Sequence, residues 1–263
     1  MKVLIYMRES DLAPVGGPAG YLCNLKKGLD AIGNTDIEFL EDRQTSASKN
    51  KSKKTGLTLI DTLLGGFYHR YLFKRIFSKK REHRNTSVDF NKYDIIHFHF
   101  TSDIYKVRDD LEDYKGVVLL SCHSPLPYYQ ERASKYNKFD IFCLGKMWKQ
   151  LESIDVFAFE RADYLVFPCE EAEETYINNW PAYINIKKHK KYKYILSGIA
   201  QCSAKVQKEE VRAKYGIPLD ATVFCYVGRH NTVKGYNDLK EIGEHILSKY
   251  SNAYFLIAGS EGP

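Results

Sequence analysis

The stretch "GVVLLSCH" (Gly116–His123) decides the fold, because four apolar residues in a row lead directly into a polar end. Strands buried on both faces of a parallel sheet have this composition, whereas half-buried strands alternate apolar with polar residues. Similar short apolar runs occur in "KVLIYM" (Lys2–Met7), "YDIIHFHF" (Tyr93–Phe100) and "DYLVFPC" (Asp163–Cys169). These runs predict the strands of a buried parallel sheet.

Helical patterns lie between the apolar runs. "GYLCNLKKGLDAIG" (residues 20–33) has leucines at helical spacing and a glycine as a stop signal, and "GKMWKQLESIDVFAFERA" (145–162) predicts another helix. "IEFLE" (Ile37–Glu41) and "KYILSG" (Lys193–Gly198) predict two more strands. The alternation predicts a doubly wound α/β domain over residues 1–199.

A second unit is predicted over residues 200–263. A polar connector leads into a strand, "TVFCYVG", a helix, "YNDLKEIGEHILSKY", and a final strand, "AYFLIAG". One strand–helix–strand unit cannot bury both faces of its sheet. We therefore expect a truncated second domain of a longer protein, with coverage of the sheet by another element as the alternative.

Composition narrows the functional classes. The chain has 263 residues, of which 44% are hydrophobic and 27% charged, which is typical of a globular protein. Apolar runs of about 18 residues are absent, and the N-terminal stretch is a poor secretory signal. Six scattered cysteines without C-x-x-C spacing favour reduced, buried thiols in a cytoplasmic protein.

Positive charge is concentrated between Arg43 and Lys92, a segment that contains 13 Lys/Arg but only 3 Asp/Glu. Within this region an apolar helical pattern is followed by the basic residues Arg70, Lys74, Arg75, Lys79 and Lys80. A basic amphipathic helix is typical of binding to an anionic membrane surface. A core-packing helix with a solvated basic face is the alternative. Nucleic acid is not expected as a partner, because no recognition motif for it is present.

A glycine-containing loop, "APVGGPAGYL" (residues 13–22), connects the first predicted strand to the first predicted helix. Gly16 and Gly17 would let the backbone approach a phosphate or sugar closely, and a helix N-terminus favours negative charge. The dinucleotide fingerprint is absent, because eight residues separate the strand from these glycines. A flexible loop remains the alternative.

Three histidines lie within or at the end of predicted strands. His97 and His99 share one face of their strand because the side-chain period is two, but a third metal ligand at a fitting spacing is not evident, so no metal is expected. His123 ends its strand where a parallel sheet binds ligands, and it is placed to donate a hydrogen bond to a substrate hydroxyl or phosphate. A satisfied loop histidine is the alternative.

The stretch "CYVGRHNTVKGYNDL" (Cys225–Leu239) places two cations around the loop between a strand and a helix. Arg229 offers a planar fork for phosphate, and Lys234 offers a compact charge beside a helix N-terminus. The pair is suited to clamping a diphosphate. Two solvated loop charges are the alternative.

Taken in chain order, these motifs resemble the family 4 glycosyltransferases, which are retaining enzymes of the GT-B architecture with two Rossmann-like domains. The resemblance is carried by "DIIHFH", "SCHSP", "ERADYLVFPCEEAEE", "YILSGIA", "YVGRHNTVKG" and "FLIAGSEGP", and it covers most of the chain. It implies transfer of a sugar from a nucleotide diphosphate sugar to a glycan or lipid-linked acceptor, in polysaccharide or glycoconjugate biosynthesis.

The resemblance also implies roles for individual residues. Gly16 and Gly17 match the loop that faces the donor diphosphate, and His123 matches a histidine that hydrogen-bonds the transferred sugar. Arg229 and Lys234 match a basic pair that stabilises the charge growing on the leaving nucleoside diphosphate. No metal cofactor is implied, because these cations supply the positive charge.

Departures from the family pattern leave alternatives open. The connector "SGIA" (Ser197–Ala200) lacks the family's Asp, Ser124 stands where the family has Asp, and the chain ends before the family's glutamate pair. We therefore expect the isolated chain to transfer sugar poorly. A non-catalytic binding module that needs a partner chain is the main alternative, and a nucleotide-sugar epimerase or a phosphorylase is a weaker one. The expected location is cytoplasmic, with peripheral attachment to the inner face of the membrane.

Overall fold

The computed structural model describes residues 1–7, 12, 17–40, 65–71, 74, 88–133, 136–198, 203–231 and 234–259. The chain divides into two compact units, unit 1 (Met1–Ala200) and unit 2 (Gln201–Pro263).

Unit 1 is built from alternating strands and helices. Its described strands are β1 (Val3–Tyr6), β2 (Ile37–Phe39), β3 (Ile95–Phe98), β4 (Val117–Ser121), β5 (Tyr164–Phe167) and β6 (Lys191–Tyr194). Its described helices are α1 (Gly17–Ala31), α2 (residues 65–71), α3 (Thr101–Lys106), α4 (Arg108–Leu111), α5 (Tyr128–Ala133), α6 (Lys138–Leu144), α7 (Lys146–Lys149), α8 (Glu152–Arg161), α9 (Glu170–Asn179) and α10 (Pro181–Lys187), with a 3₁₀ turn at Phe90–Lys92.

The six strands form one parallel sheet in the order β2-β1-β3-β4-β5-β6. Because β2 lies on one side of β1 and β3 on the other, the chain reverses direction across the sheet at β1 and β3. Ligands of open parallel sheets bind at such a switch point, outside the carboxyl ends of the strands. The predicted doubly wound α/β fold is therefore confirmed.

Burial on both faces explains the unbroken apolar runs. Leu4 and Tyr6 of β1 join a large cluster on one face of the sheet. Ile5 and Met7 join a different cluster, in which Leu22 of α1 packs against them. Successive side chains of a strand point to opposite faces, so a strand covered on both faces needs apolar residues at consecutive positions.

Two element boundaries differ from the sequence-based expectation. The helix predicted over residues 145–162 is two helices, α7 and α8, and the junction contains short-range hydrogen bonds such as Ser153 N–H to Gln150 O (3.1 Å). The strand predicted over Lys193–Gly198 lies at Lys191–Tyr194. As an edge strand it keeps all four of its side chains exposed, so hydrophobic pattern does not mark it.

Unit 2 contains α11 (Lys208–Lys214), β7 (Thr222–Val227), α12 (Tyr236–Lys249) and β8 (Ala253–Ala258). β7 and β8 pair in parallel, as the sequence predicted for a strand–helix–strand unit. The rings of Phe224 and Phe255 stack at 5.1 Å across the pair. Val227, at the end of β7, is 85% exposed, so this two-stranded sheet buries much less apolar surface than the sheet of unit 1.

Candidate functional site

Three histidines cluster at the carboxyl ends of β3 and β4. His97 and His99 lie on one side of the sheet, as predicted, and their ring centroids are 4.2 Å apart. His123 follows β4, and its ring stacks on His99 at 5.1 Å with an angle of 21°. Tyr21, from the start of α1, packs against His123 at 4.9 Å. The strand order therefore brings side chains distant in sequence together at the switch point.

Hydrogen bonds connect this histidine cluster (His97, His99 and His123). His97 Nε2 lies 2.8 Å from Ser121 Oγ. His99 Nδ1 lies 2.8 Å from His123 Nε2. His99 is 3% exposed, and its Nε2 is a buried atom without a hydrogen-bond partner in the described structure. The cluster is thus ordered by specific contacts.

Burial keeps the three imidazoles neutral. Desolvation, assisted by the nearby His123, lowers the pKa of His97 to about 3. The pKa of His99 is lowered well below its usual value by desolvation and by both neighbouring histidines. Desolvation lowers the pKa of His123 to about 4. At neutral pH each ring therefore carries one proton, and it acts as a hydrogen-bonding group without charge.

A cavity of about 250 Å³ opens beside the cluster. Its polar lining includes His99, Ser121, His123, Ser124, Glu131 and Tyr176. Ser124 Oγ donates to Glu131 Oε2 (3.2 Å), and the Tyr176 hydroxyl donates to the carbonyl of Ser124 (3.1 Å). The space is adequate for part of a sugar, and the lining offers groups that hydrogen-bond hydroxyls.

A buried carboxylate positions one wall of the cavity. Asp155 of α8 is 0% exposed, and it accepts hydrogen bonds from the backbone N–H groups of Tyr128 (3.3 Å) and Tyr129 (2.8 Å) at the start of α5. Desolvation raises the pKa of Asp155 to about 6, although these backbone donors act in the opposite direction. Asp155 thus anchors the helix that presents Tyr128 and Glu131 to the cavity.

The predicted glycine loop is described only at its end. Gly16 lies outside the described residues, and Gly17 is the first residue of α1, with a φ of 50°. The next residue, Pro18, lines the cavity. The described end of this loop is therefore next to the histidine cluster, and its contact with a phosphate stays a prediction.

Unit 2 presents Arg229 and Lys234 at the carboxyl end of β7. Both side chains are exposed, and neither forms an ion pair within the described part of the chain. The Tyr226 hydroxyl lies 2.8 Å from the carbonyl oxygen of Arg229 and 3.2 Å from that of Lys234. The loop is therefore held at both ends while its two cations remain in solvent.

The N-terminus of α12 adds to this positive region. Gly235 is the N-cap residue with a left-handed φ of 70°, and no side chain caps the helix there. The dipole of α12 attracts anions to this end of the helix, although Asp238 in the first turn supplies an opposing charge. Two cations and an uncapped helix end in one loop form an arrangement suited to phosphate.

The predicted basic surface is described in part. Arg70 and Lys74 are described, whereas Arg75, Lys79 and Lys80 lie outside the described residues. Arg70 Nη1 donates to the carbonyl of Cys143 (2.8 Å), so this arginine also fastens α2 to α6. The described helices include none that is long and apolar enough to cross a membrane.

Metal-binding geometry is not found among the described residues. No group of three His, Cys, Asp or Glu side chains in that part of the chain is arranged to hold a metal ion. Where His97 and His99 were considered as ligands, they instead hydrogen-bond Ser121 and His123. The five described cysteines are free thiols.

Three residues of the site were missed in the sequence. Tyr21 falls within the first turns of the predicted helix after the glycine loop, Ser121 lies within the quoted strand, and Asp155 is a lone acid within "SIDVFAF". The last is a recognisable signal, because a carboxylate inside an apolar helical stretch is buried only when it has hydrogen-bond partners. The partners of Tyr21 and Ser121 depend on strand order, which spacing alone does not give.

Comparison with known proteins identifies a fold. No protein-family model matches the sequence, and no curated protein matches it. Among solved structures, sucrose-phosphate synthase from Thermosynechococcus elongatus aligns with a TM-score of 0.52 at 15% identity, over 99% of this chain and 62% of that one. The chain therefore spans about 62% of the length of that protein. This similarity, together with the parallel sheet, establishes an α/β fold of the GT-B type.

Proposed function

We propose that the protein is a retaining glycosyltransferase of the family 4 type, which moves a sugar from a nucleotide diphosphate sugar to a glycan or lipid-linked acceptor. The observation that carries this proposal is the cavity at the switch point, into which a neutral histidine pair opens beside Ser124 and Glu131. Imidazole, hydroxyl and carboxyl groups in a partly enclosed space suit a sugar, whose hydroxyls both donate and accept hydrogen bonds.

Each part of the proposed site has one task. His123 hydrogen-bonds a hydroxyl of the transferred sugar and orients it without changing its own protonation, because its pKa of about 4 keeps it neutral. Arg229 and Lys234 bind the donor diphosphate and stabilise the negative charge that grows there as the sugar leaves. Gly16 and Gly17 give the donor close access to the start of α1. The proposal calls for no metal cofactor.

The sharpest test is calorimetry with UDP-glucose and GDP-mannose as probes. Arg229→Ala and Lys234→Ala should each weaken binding about tenfold or more, because a hydrogen bond to a charged group contributes roughly 1.5–3 kcal/mol. Lys240→Ala is the matched control, since it removes an exposed charge further along α12. The proposal fails if neither probe binds, or if all three variants bind alike.

A binding module without catalysis is the second candidate. It is favoured by the exposed apolar residues of the unit 2 sheet, among them Phe224, Val227 and Ile257, which a partner chain would cover while completing the donor site. Transfer assays with the same two probes separate the candidates. If the chain binds a probe but transfers sugar only after a partner polypeptide is added, the binding module is supported. If the chain transfers sugar alone, the enzyme is supported.

Attachment to an anionic membrane forms part of the proposal. Phe67, Tyr68 and Tyr71 of α2 are exposed beside Arg70, and Phe142 of α6 is 79% exposed. Exposed aromatic rings next to cations suit the interface of a bilayer. Co-sedimentation with phosphatidylserine vesicles should fall for Phe142→Ser and remain for Ile32→Ser, a control at another exposed apolar position. Equal sedimentation of both variants would exclude this surface.

A further inference from the structure

His99 is given no separate task in the function proposed above, although it is the most confined member of the histidine cluster. It is 3% exposed and lies between His97, His123 and Tyr21, at ring-centroid distances of 4.2, 5.1 and 5.9 Å. Its Nδ1 contacts His123 Nε2, and its Nε2 is buried without a hydrogen-bond partner in the described structure. Both nitrogens of His99 thus have fixed and unequal surroundings.

The 2.8 Å contact between the two nitrogens holds one proton when both rings are neutral. If the proton belongs to His99 Nδ1, then His123 Nε2 accepts, and the remaining proton of His123 is on its Nδ1. If the proton belongs to His123 Nε2, then His99 carries its own proton on the buried Nε2. The tautomers of His99 and His123 are therefore coupled, and the position of the proton on one ring fixes its position on the other.

The unpartnered atom separates these two arrangements. A buried N–H without an acceptor loses a hydrogen bond that it would make to water, and such orphaned donors are rare in folded proteins. A bare ring nitrogen at the same place leaves one lone pair without a donor, and unpaired buried acceptors are less rare than unpaired buried N–H donors. The surroundings of His99 Nε2 therefore favour a lone pair there and the proton on Nδ1.

His123 Nδ1 is the atom that this arrangement affects. His123 lines the cavity, and the hydrogen bond found for it within the described residues is the one that its Nε2 makes with His99. Its Nδ1 is not among the buried atoms that lack a partner. That nitrogen is therefore left available to a ligand in the cavity.

We propose that His99 is a positioning residue that holds His123 in the Nδ1–H tautomer, so that the cavity presents an N–H donor to an oxygen of the bound sugar. The assignment of the ligand as a sugar rests on the proposed function, whereas the assignment of the tautomer rests on the histidine contacts alone. A site with this donor selects an oxygen that has a free lone pair, such as a hydroxyl or ring oxygen.

Nitrogen-15 NMR of the full chain at pH 7 tests the tautomer directly, because protonated and bare ring nitrogens have well separated chemical shifts. The signals of His123 are assigned by their loss in His123→Gln. We expect a protonated Nδ1 and a bare Nε2 for His123, and a bare Nε2 for His99. A protonated Nε2 on His123 overturns the proposal, whatever the activity of the protein.

Two substitutions separate positioning from packing. His99→Asn retains an amide near the position of Nδ1, which can still donate to His123, whereas His99→Leu removes the donor and fills the space. We expect His99→Leu to lose the Nδ1–H signal and to weaken the binding of UDP-glucose about tenfold, with His99→Asn within about twofold of the native chain. Equal loss in both variants, with the His123 tautomer unchanged, shows a packing role and contradicts the proposal.

The outcomes distinguish this inference from the proposed function. If neither UDP-glucose nor GDP-mannose binds but His123 carries its proton on Nδ1, the tautomer assignment stands and the glycosyltransferase proposal fails. If sugar is transferred while His123 carries its proton on Nε2, the glycosyltransferase proposal stands and the tautomer assignment fails. Should His99→Leu not fold, the native chain and His99→Asn still decide the tautomer.

Discussion

The two units place opposite chemistry at the carboxyl ends of their parallel strands. In unit 1 the strand ends carry neutral histidines, one buried and two half-buried, that contact one another beside a cavity. In unit 2 the end of β7 carries two exposed cations without ion pairs among the described residues. Burial produces fixed hydrogen-bond partners for an uncharged group, whereas exposure keeps positive charge available for an anion. The same topological position thus carries two different chemical environments.

Acid should destabilise unit 1 more than any single substitution considered below. The folded-state pKa values of the histidine cluster lie below the unfolded value near 6.5. Above pH 6.5 the unfolding free energy is therefore at its full value, and it decreases as the pH falls towards about 4, because the unfolded state binds protons that the folded state does not. Each histidine should contribute a loss of about 1.4 kcal/mol per pH unit. Both tryptophans, Trp148 and Trp180, lie in unit 1, so their fluorescence during urea unfolding measures this unit.

The unfolding free energy measured by fluorescence should fall between pH 6.5 and 4.5 in the native chain. In His97→Phe it should fall less steeply, because one imidazole with a lowered pKa is removed. A free energy that is flat over this interval would contradict the burial of neutral histidines. It would also remove the physical contrast between the two units.

Asp155 should have the opposite pH dependence. Its folded-state pKa of about 6 lies above the unfolded value, so its contribution to stability is complete below about pH 4 and is lost as the pH rises through 6. On acidification it therefore offsets part of the histidine loss. Asp155→Asn should steepen the loss of unfolding free energy between pH 6 and 4 by about 1.4 kcal/mol per pH unit, measured by the same fluorescence. An unchanged slope would show that Asp155 is hydrated in solution.

Much of unit 1 could be predicted from sequence because its physical signals are local. Apolar runs such as Val117–Leu120 report burial on both faces of a sheet, and they fixed the fold class. β6 was misplaced because an edge strand with exposed side chains has no such signal. The position of His123 at the end of a strand could be predicted because the apolar run before it marks β4.

The contacts within the site could not be predicted, because they depend on which strands are neighbours. The bond between His99 and His123 joins residues 24 apart, and it exists because β3 and β4 pair in register from Ile95 and Val117. Asp155 reaches α5 through packing of α8, which no spacing in the sequence specifies. The sequence therefore placed His123 at the end of its strand, and the strand order of the sheet determined which side chains it contacts.

Substitutions at two glycines, Gly259 and Gly243, test how closely the backbone is packed at the strand ends of unit 2. A Cβ at Gly259 would lie 1.8 Å from the carbonyl oxygen of Gly228, so Gly259→Ala must displace the backbone at the end of β8. We expect the unfolding free energy of unit 2 to fall by about 1–3 kcal/mol, as measured by hydrogen exchange of the β7 and β8 amides.

Gly243→Ala is the control. Its Cβ would meet only the Phe255 ring at 3.8 Å, and alanine favours the interior of α12, so exchange there should slow. Similar effects of both changes would mean that the close approach is absent.

The smallest expected effect concerns the stability of the exposed cations. Arg229→Ala and Lys234→Ala remove side chains that are solvated and lack ion pairs in the described structure, so the unfolding free energy of unit 2 should change by less than about 0.5 kcal/mol. The same hydrogen-exchange experiment measures it. A cation placed for a ligand is dispensable to the fold, whereas a cation that holds the loop is not. A loss above about 1 kcal/mol for either variant would therefore show that Arg229 or Lys234 holds the loop in place, and it would remove the contrast with the histidines of unit 1, which are held by contacts within the fold.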